Sequence, residues 1–423
     1  MAVTEEIAWG DGSGDKIYLT ADALEGNQTV LVSSDANTGA ARTKTVTFSA
    51  TGASSVTLTV IQAAGIQPVF RSYLFFDGTA YVDTDIPFTE NSTFRFTGGL
   101  ESLEGMQRLF MFGSTLGSHV GSTQTSATNA TSRAFSAYYC SSSSLPSPTP
   151  TVAQTTPTYS YFLTPKLIGF GSSTTSFTKG STAPDGNLII GSNYNHGGQG
   201  YTGIFSRFRI YGSDAQNVTT SSDLDNYTPI HDLRPCIYGT EHGFWDTVGE
   251  KFYGNSAGSG TLLAVSAFSG NPSSYDSTDK SYYSISNASN AYAGYSSTTY
   301  ATIELTRGSR AETYVYFKFD TSSIPADATI VYVFCSAKAY ISSTASNQIA
   351  SRQIQLYCGT TAKGTASTVT TTATVFKLYS GTMTREEASD IRVRLYAKRG
   401  TSNTTDSRTM RLYGATLYVL YTT

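Results

Sequence analysis

Strict alternation of apolar and polar side chains marks the last third of the chain, from about residue 281 to residue 423. In the segment TYVYFKFD, Tyr314 and Tyr316 alternate with Val315 and Phe317, and a turn reading SSIPADAT leads into a second alternating run. Because successive side chains of a strand point to opposite faces, a period of two predicts strands with one buried and one wet face. This segment is therefore expected to fold as an antiparallel β domain that serves as a scaffold.

Composition extends this expectation to the whole chain. Only 14% of the 423 residues are charged, whereas 29 are Tyr, 22 are Phe and 38 are Gly. Such usage favours short strands with polar outer faces and tight turns over amphipathic helices. The length accommodates three domains, each with its own core. The sequence predicts an all-β fold of three β-sandwich domains in series, namely an Ig-like module and two jelly rolls.

Charge and hydropathy narrow the range of partners. The formal net charge is −3, and the longest basic cluster is the KRG at 398–400. Because phosphate neutralisation needs clustered Lys and Arg, nucleic acid is not an expected partner. The sequence contains no run of about eighteen apolar residues and no apolar leader after its acidic start, so neither a membrane span nor an export signal is expected.

The first predicted domain covers residues 1–66. Alternating runs separated by Gly and Asn turns predict strands at Lys16–Thr20, Thr29–Ser33, Thr43–Ser49 and Ser55–Gln62. The order NTGAARTKTVTFSA and then VTLTVIQAAG resembles the BACON domain, whose last strand reads V-x-Q-x-x-G and is matched by Val60, Gln62 and Gly65. The resemblance implies a small Ig-like sandwich that acts as a carbohydrate-binding module, a spacer or an anchor.

The second predicted domain covers residues 67–264. The FDGTAYVDT that starts at Phe76 and the later GIFSRFRIYG resemble strands of laminin-G and concanavalin-A-like jelly rolls. The segment from Gly243 to Asn255 matches G-x-x-D-x-V-x-x-K-F-Y-x-N, a hairpin of laminin-G proteins of gut bacteriophages. The Pro-, Ser- and Thr-rich segment 141–157 is expected to be an exposed loop.

The third predicted domain covers residues 265–423. Its FKFDTSSIPADATI resembles the disaggregatase-related repeat, a jelly roll of bacterial surface proteins and of virion proteins of gut phages. The Ser-, Gly- and Pro-rich segment 266–280 predicts a flexible linker into this domain. Thr384 and Glu387 have capping-box spacing, which predicts a two-turn helix in TREEASDIRVRL.

The cysteines lie far apart, with no CxxC pair and no His at metal-ligand spacing, so no zinc site is predicted. Two of them fall in alternating strands. Buried, reduced thiols are favoured, and a disulfide is the alternative. The four residues are Cys140, Cys236, Cys335 and Cys358.

Candidate glycan contacts come from an aromatic platform beside amide groups, the usual device for binding sugars. The segment GSNYNHGGQGY supplies such a set, and Trp245 with His242 forms a second candidate. The predicted glycan-binding residues are Tyr194, Asn195, His196, Gln199 and Tyr201.

No catalytic residue, metal site or cofactor is predicted. The chain has no G-x-S-x-G motif, and its Gly-rich turns lead into strands where a phosphate site would need a helix. Calcium is the one alternative kept open, because Asp77, Asp83 and Asp85 surround one predicted hairpin and laminin-G relatives sometimes bind calcium on loops. The Asp77-Gly78 pair is also a common turn former.

Taken together, the resemblances imply a non-enzymatic virion protein of a phage that infects gut Bacteroidales, as a head fibre, capsid decoration or tail fibre. Its expected partners are phage capsid or tail proteins and host-surface or mucin glycans, and its expected location is the virion. We expect a homo-oligomer, with a trimer as the leading choice. The alternatives are a bacterial surface carbohydrate-binding protein and a polysaccharide depolymerase.

Overall fold

The computed structural model describes residues 3–21, 30–35, 37, 39, 41–48, 54–62, 65–99, 107–113, 120–126, 132–140, 151–153, 158–170, 173–192, 200–277, 283–293, 298–305, 312–400 and 407–423. In these residues strands dominate, and the helical segments are short 3-10 helices at Ser213–Ala215, Asp223–Asn226, Ala288–Ala293 and Glu387–Ser389. The strands form several antiparallel sheets, which confirms the predicted all-β class. The chain divides into two compact units, residues 1–69 with 238–240, and residues 70–237 with 241–423.

The first unit contains a three-stranded sheet, β1-β2-β3, and a hairpin, β4-β5. Ile17, Leu19 and Trp9 form its small buried core, because they occupy one face of the β1–β3 sheet and its first turn. The four predicted strands are confirmed. The structure also contains a strand in the acidic start of the chain, at Val3–Ala8, which was not predicted. The strands are β1 (Val3–Ala8), β2 (Lys16–Ala21), β3 (Val30–Ser34), β4 (Arg42–Phe48) and β5 (Val56–Gln62), followed by the short β6 (Val69–Phe70).

The larger unit begins with a two-sheet sandwich whose core is aromatic. Phe110 from one sheet meets Phe208 from the other at 4.9 Å between ring centroids, and Phe96 stacks on Phe208 at 6.0 Å. The strands are β7 (Tyr73–Asp77), β8 (Val82–Pro87), β9 (Thr93–Gly99), β10 (Gln107–Phe112), β11 (Val120–Ser126), β12 (Ser132–Tyr139), β13 (Thr151–Ala153), β14 (Thr158–Leu163), β15 (Leu167–Phe170), β16 (Ser173–Ser176), β17 (Asn187–Ile190), β18 (Thr202–Tyr211), β19 (Pro229–Tyr238), β20 (Glu241–Asp246), β21 (Lys251–Gly254) and β22 (Leu262–Gly270).

The sheets of this sandwich run in the orders β13-β12-β11-β10-β17-β8 and β16-β15-β14-β9-β18-β7-β22, with β19 also pairing β18. The predicted hairpin of the G-x-x-D-x-V-x-x-K-F-Y-x-N segment is present as β20-β21. The predicted loop at 141–157 is wrong at Thr151–Ala153, which is β13 and pairs with β12. Its other residues lie outside the described part of the chain.

The last sandwich has a five-stranded sheet, β23-β26-β31-β28-β29, opposite a sheet in which β32 pairs with β22, β25 and β27. The chain crosses between the two sheets at most of its connections, in a jelly-roll-like path. Val315, Phe317 and Val393 are among the fully buried residues between them. The strands are β23 (Pro272–Ser277), β24 (Tyr283–Ser286), β25 (Ala301–Leu305), β26 (Glu312–Phe319), β27 (Thr329–Ile341), β28 (Ile349–Cys358), β29 (Thr361–Thr368), β30 (Thr374–Gly381), β31 (Ile391–Arg399) and β32 (Arg408–Thr422).

A continuous strand joins the two sandwiches of the larger unit, and the prediction of a flexible linker at 266–280 is wrong where the structure describes it. The first half of β22 pairs with β7, and its second half, from Ser266, pairs with β32. Residues of both sandwiches form one buried cluster around this strand, including Ile204, Val265, Phe334 and Leu420. Polar composition suggested a linker, but main-chain pairing with β32 and, through β23, with β26 makes these residues strands.

The predicted two-turn helix in TREEASDIRVRL is also wrong beyond its cap. The capping box itself forms, since the Glu387 amide donates to the Thr384 hydroxyl and the Thr384 amide donates to the Glu387 carboxylate, each at 3.1 Å. Only the 3-10 helix Glu387–Ser389 follows, and β31 starts at Ile391. The apolar residues Ile391, Val393 and Leu395 enter the sandwich core at strand spacing.

All four cysteines are free and buried, as predicted. Burial raises the pKa of the Cys236 thiol to about 12 and that of Cys358 to about 11. The Cys335 thiol, which lies deepest, has its pKa raised further by the same cause. These thiols are therefore protonated at neutral pH and poorly nucleophilic.

No helix in the described residues is long and apolar enough to span a bilayer.

Candidate functional site

Four of the five predicted glycan-binding residues, Tyr194, Asn195, His196 and Gln199, lie outside the described residues. The fifth, Tyr201, is fully buried. Its ring lies 4.8 Å from that of Phe205 between centroids, and its hydroxyl donates to the Ile204 carbonyl at 3.0 Å. Tyr201 therefore belongs to the core of the sandwich, and its ring is not an exposed platform.

The second sequence candidate, His242 with Trp245, lies on β20. The Nδ1 atom of His242 accepts a hydrogen bond from the Ala264 amide at 3.1 Å, which ties β20 to β22. Burial lowers the pKa of His242, with a smaller contribution from the charge of Arg71. The neutral ring is thus a structural acceptor. Trp245, three positions along β20 and so on the opposite face of the strand, is half-buried.

Two of the three carboxylates of the predicted first hairpin, those of Asp77 and Asp85, bind protein donors. Asp77 accepts from the Thr79 and Ala80 amides at 2.9 and 3.0 Å and so closes its turn. Asp85 accepts from the Tyr253 hydroxyl at 2.7 Å and pairs with Lys251. No cluster of three or more His, Cys, Asp or Glu suited to a metal ion occurs among the described residues. The calcium hypothesis gains no support from these contacts.

A partly exposed histidine and a buried carboxylate form a pair in the β19–β20 hairpin, and sequence inspection missed it. Nδ1 of His231 lies 2.6 Å from Oδ2 of Asp246, whose other oxygen accepts from the Asp232 and Val248 amides at 3.0 and 3.1 Å. Burial raises the pKa of Asp246, but these hydrogen bonds outweigh it and the net pKa is lowered. No Ser, Thr or Cys side chain of the described chain hydrogen-bonds to this histidine. Through its bonds to His231 and to the Asp232 amide, Asp246 ties β20 to β19.

The outer side of the last sandwich carries a different arrangement, which we call the tyrosine–arginine face. Val315, Val393 and Leu356 point into the core, so the alternate residues of β26, β31 and β28 point outward. The register places Tyr314 opposite Tyr396 and Gln355 opposite Arg394. The face consists of Tyr314, Tyr316, Tyr357, Tyr396 and Arg394.

Three of the four rings of this face are packed around the guanidinium of Arg394. Its central carbon lies 4.4 Å from the ring centroid of Tyr357, 5.2 Å from that of Tyr314 and 5.6 Å from that of Tyr396. Tyr314 and Tyr396 stack at 4.9 Å with 25° between their planes. Such cation–π contacts fix the rings and the guanidinium in one arrangement.

Burial differs across the face. Tyr357 is only 8% exposed and forms its floor, whereas Tyr314, Tyr316 and Tyr396 are half-buried. Burial raises the pKa of both Tyr357 and Tyr396, so their hydroxyls stay protonated. The amide of Gln355 donates to the Gly364 carbonyl at 2.9 Å and so holds the edge strand β29 beside the face. A preformed platform of aromatic rings with one cation at its centre can stack on a ligand ring and bind an acceptor beside it.

The sequence alone indicated part of the tyrosine–arginine face. Alternation placed Tyr314 and Tyr316 on the wet face of a strand, but Arg394 fell in the segment predicted as a helix and Tyr396 directly after it. The comparisons with known proteins add no family to this account. No protein-family model matches the chain, and a search of curated proteins finds no significant match.

Proposed function

We propose that this chain is a non-enzymatic structural protein of a phage virion, a head fibre, capsid decoration or tail fibre, that contacts host or mucosal glycans. The observation that carries the glycan contact is the tyrosine–arginine face. Its rings lie on the middle strands of a five-stranded sheet, with main-chain pairing on both sides of β31. A rigid aromatic platform of this kind suits the apolar faces of sugar rings at low cost in side-chain entropy.

The virion role rests on the resemblances quoted above, and one surface property of the first unit supports it. Leu31, Val56 and Ile61 are 68%, 65% and 75% exposed. Exposed apolar side chains of this size are available to be buried against another protein. We propose that this module attaches the chain to the particle and that the sandwiches project.

Two experiments test the proposal. Mass spectrometry of purified phage particles should find the protein as a stoichiometric component, and capsid, portal or tail genes should flank its gene. Absence of the protein from particles would exclude the virion role.

For the glycan role, a glycan array probed with the full chain should give binding that Tyr396→Leu weakens. The matched control is Tyr340→Leu, which alters a half-buried tyrosine of the other sheet. A reducing-end assay on capsular polysaccharide should show no cleavage, and released ends would favour the depolymerase alternative.

A further inference from the structure

We infer that Arg394 selects carboxylate-bearing sugars, such as uronic acids, on the tyrosine–arginine face. This inference rests on the proposed glycan contact and specifies its ligand class. It follows from how the charges of this face are paired.

Three carboxylates lie around the face, and each already binds a cation. Asp390 pairs with Arg392 and Asp276 with Lys318, both at contact distance, and Glu312 pairs with Lys398 at 2.5 Å. Arg394 is the fourth cation of the set. Within the described residues it has no carboxylate partner, so the face has a formal excess of one positive charge at its centre.

The hydrogen-bonding capacity of Arg394 is also largely unused. Its one polar contact in the described chain is a long bond of 3.5 Å from Nη2 to Oε1 of Gln355. Its Nε is buried and has no acceptor. A guanidinium carries five N–H donors in a planar fork that fits a carboxylate with two parallel hydrogen bonds. Because Nε is buried, a carboxylate from outside the chain would bind the terminal Nη1 and Nη2 groups.

The same side chain is held in place by the rings. Cation–π contacts with Tyr314, Tyr357 and Tyr396 restrain the fork, which lowers the entropy cost of binding a planar anion. A sugar that carries a carboxylate satisfies both parts of the face, since its ring can stack on tyrosine while its carboxylate reaches the guanidinium. A single excess charge does not suit duplex nucleic acid, whose phosphate backbone requires many clustered cations.

The test is calorimetric titration of the full chain with oligogalacturonate and with a neutral galactose oligomer of equal length. We expect the wild type to bind the acidic oligomer more tightly, and Arg394→Gln to weaken that binding about tenfold or more while changing neutral binding little. Arg394→Lys keeps the charge but loses the fork, so it should recover only part of the affinity. It also serves as the test variant if Arg394→Gln fails to fold.

The matched control is Arg411→Gln. Arg411 projects from the other sheet of the same sandwich and lies 4.3 Å from the ring centroid of Tyr300 and 5.0 Å from that of Tyr340. Unchanged binding in this control would support a specific site, whereas an equal loss would indicate non-specific charge attraction and overturn the inference.

The remaining outcomes separate the two proposals. Equal wild-type affinity for acidic and neutral oligomers, or acidic binding unchanged in Arg394→Gln and Arg394→Lys, overturns the selectivity and leaves glycan binding standing. Failure to bind either oligomer, together with a blank glycan array, overturns both.

Discussion

Removing the Phe334 side chain should uncouple the two sandwiches of the larger unit. Phe334 is 2% exposed and packs in the cluster around β22 with Ile204, Val265 and Leu420. Ile204 and Val265 belong to the first of the two sandwiches, and Phe334 and Leu420 belong to the last. This cluster and the shared strand β22 together connect the two sandwiches. Truncation of a buried Phe to Ala costs about 3–5 kcal/mol, because apolar contact is lost and a cavity remains.

Differential scanning calorimetry of the full chain measures the consequence. For the wild type we expect the two sandwiches of the larger unit to unfold in one transition. Phe334→Ala should split it into two, with the last sandwich melting lower by about 2–4 °C per kcal/mol for a domain of this size. The matched control is Phe110→Ala, which removes an equally buried ring from the middle of one sandwich core. It should lower the melting temperature without splitting the transition.

Two results would refute this reasoning. One is a single transition in Phe334→Ala with a loss below about 1 kcal/mol, far under the expected cost of the cavity. The other is two separate transitions already present in the wild type, which would mean that the continuous strand does not couple the sandwiches.

Further predictions concern the thiols, acid stability, attachment and assembly. Iodoacetamide at pH 8 should leave all four cysteines unmodified in the native protein and label all four in denaturant; a disulfide between Cys335 and Cys358 would contradict this. Burial raises the pKa of Asp232, but the hydrogen bonds at 2.6 Å and the charge of Arg207 outweigh it, so the net pKa is lowered. The Asp232–Arg207 pair contributes its full stability above the pKa of about 3.9 that an Asp has in the unfolded chain, and this contribution is lost as pH falls through the lower pKa of the folded protein. The urea midpoint should therefore fall less steeply between pH 6 and pH 3 in Asp232→Asn than in the wild type. Deletion of residues 1–69 should leave folded sandwiches, by circular dichroism, that no longer co-sediment with particles, and retained co-sedimentation would place the attachment elsewhere. Light scattering of the full chain should give a trimer, and a strict monomer would exclude it.

Local alternation predicted individual strands of this fold, because a half-buried strand needs a period of two whatever its partners are. It worked for β2 and β26, where polar and apolar residues alternate without interruption. It failed for β22, where Ser, Gly and Ala resemble a linker and only pairing with β7 and β32 makes a strand. In β31 the alternation is present as IRVRLYAKR, and the helix prediction was wrong because the capping box before it dictates only one short turn.

The tyrosine–arginine face could be predicted only in part. Outward-facing tyrosines can be read from one strand, but the face exists because β31 pairs with both β26 and β28. Tyr314 and Tyr396 are 82 positions apart, and no local pattern specifies which distant strands become neighbours. The charge pairing that singles out Arg394 depends on the same register, so it became visible only with the sheet assembled.

A density map of the phage particle tests the central claim most directly. The account predicts this chain on the outside of the virion, with residues 1–69 against capsid or tail protein and the tyrosine–arginine face open to solvent. A map in which the chain is missing, or in which that face is buried against another virion protein, would contradict it.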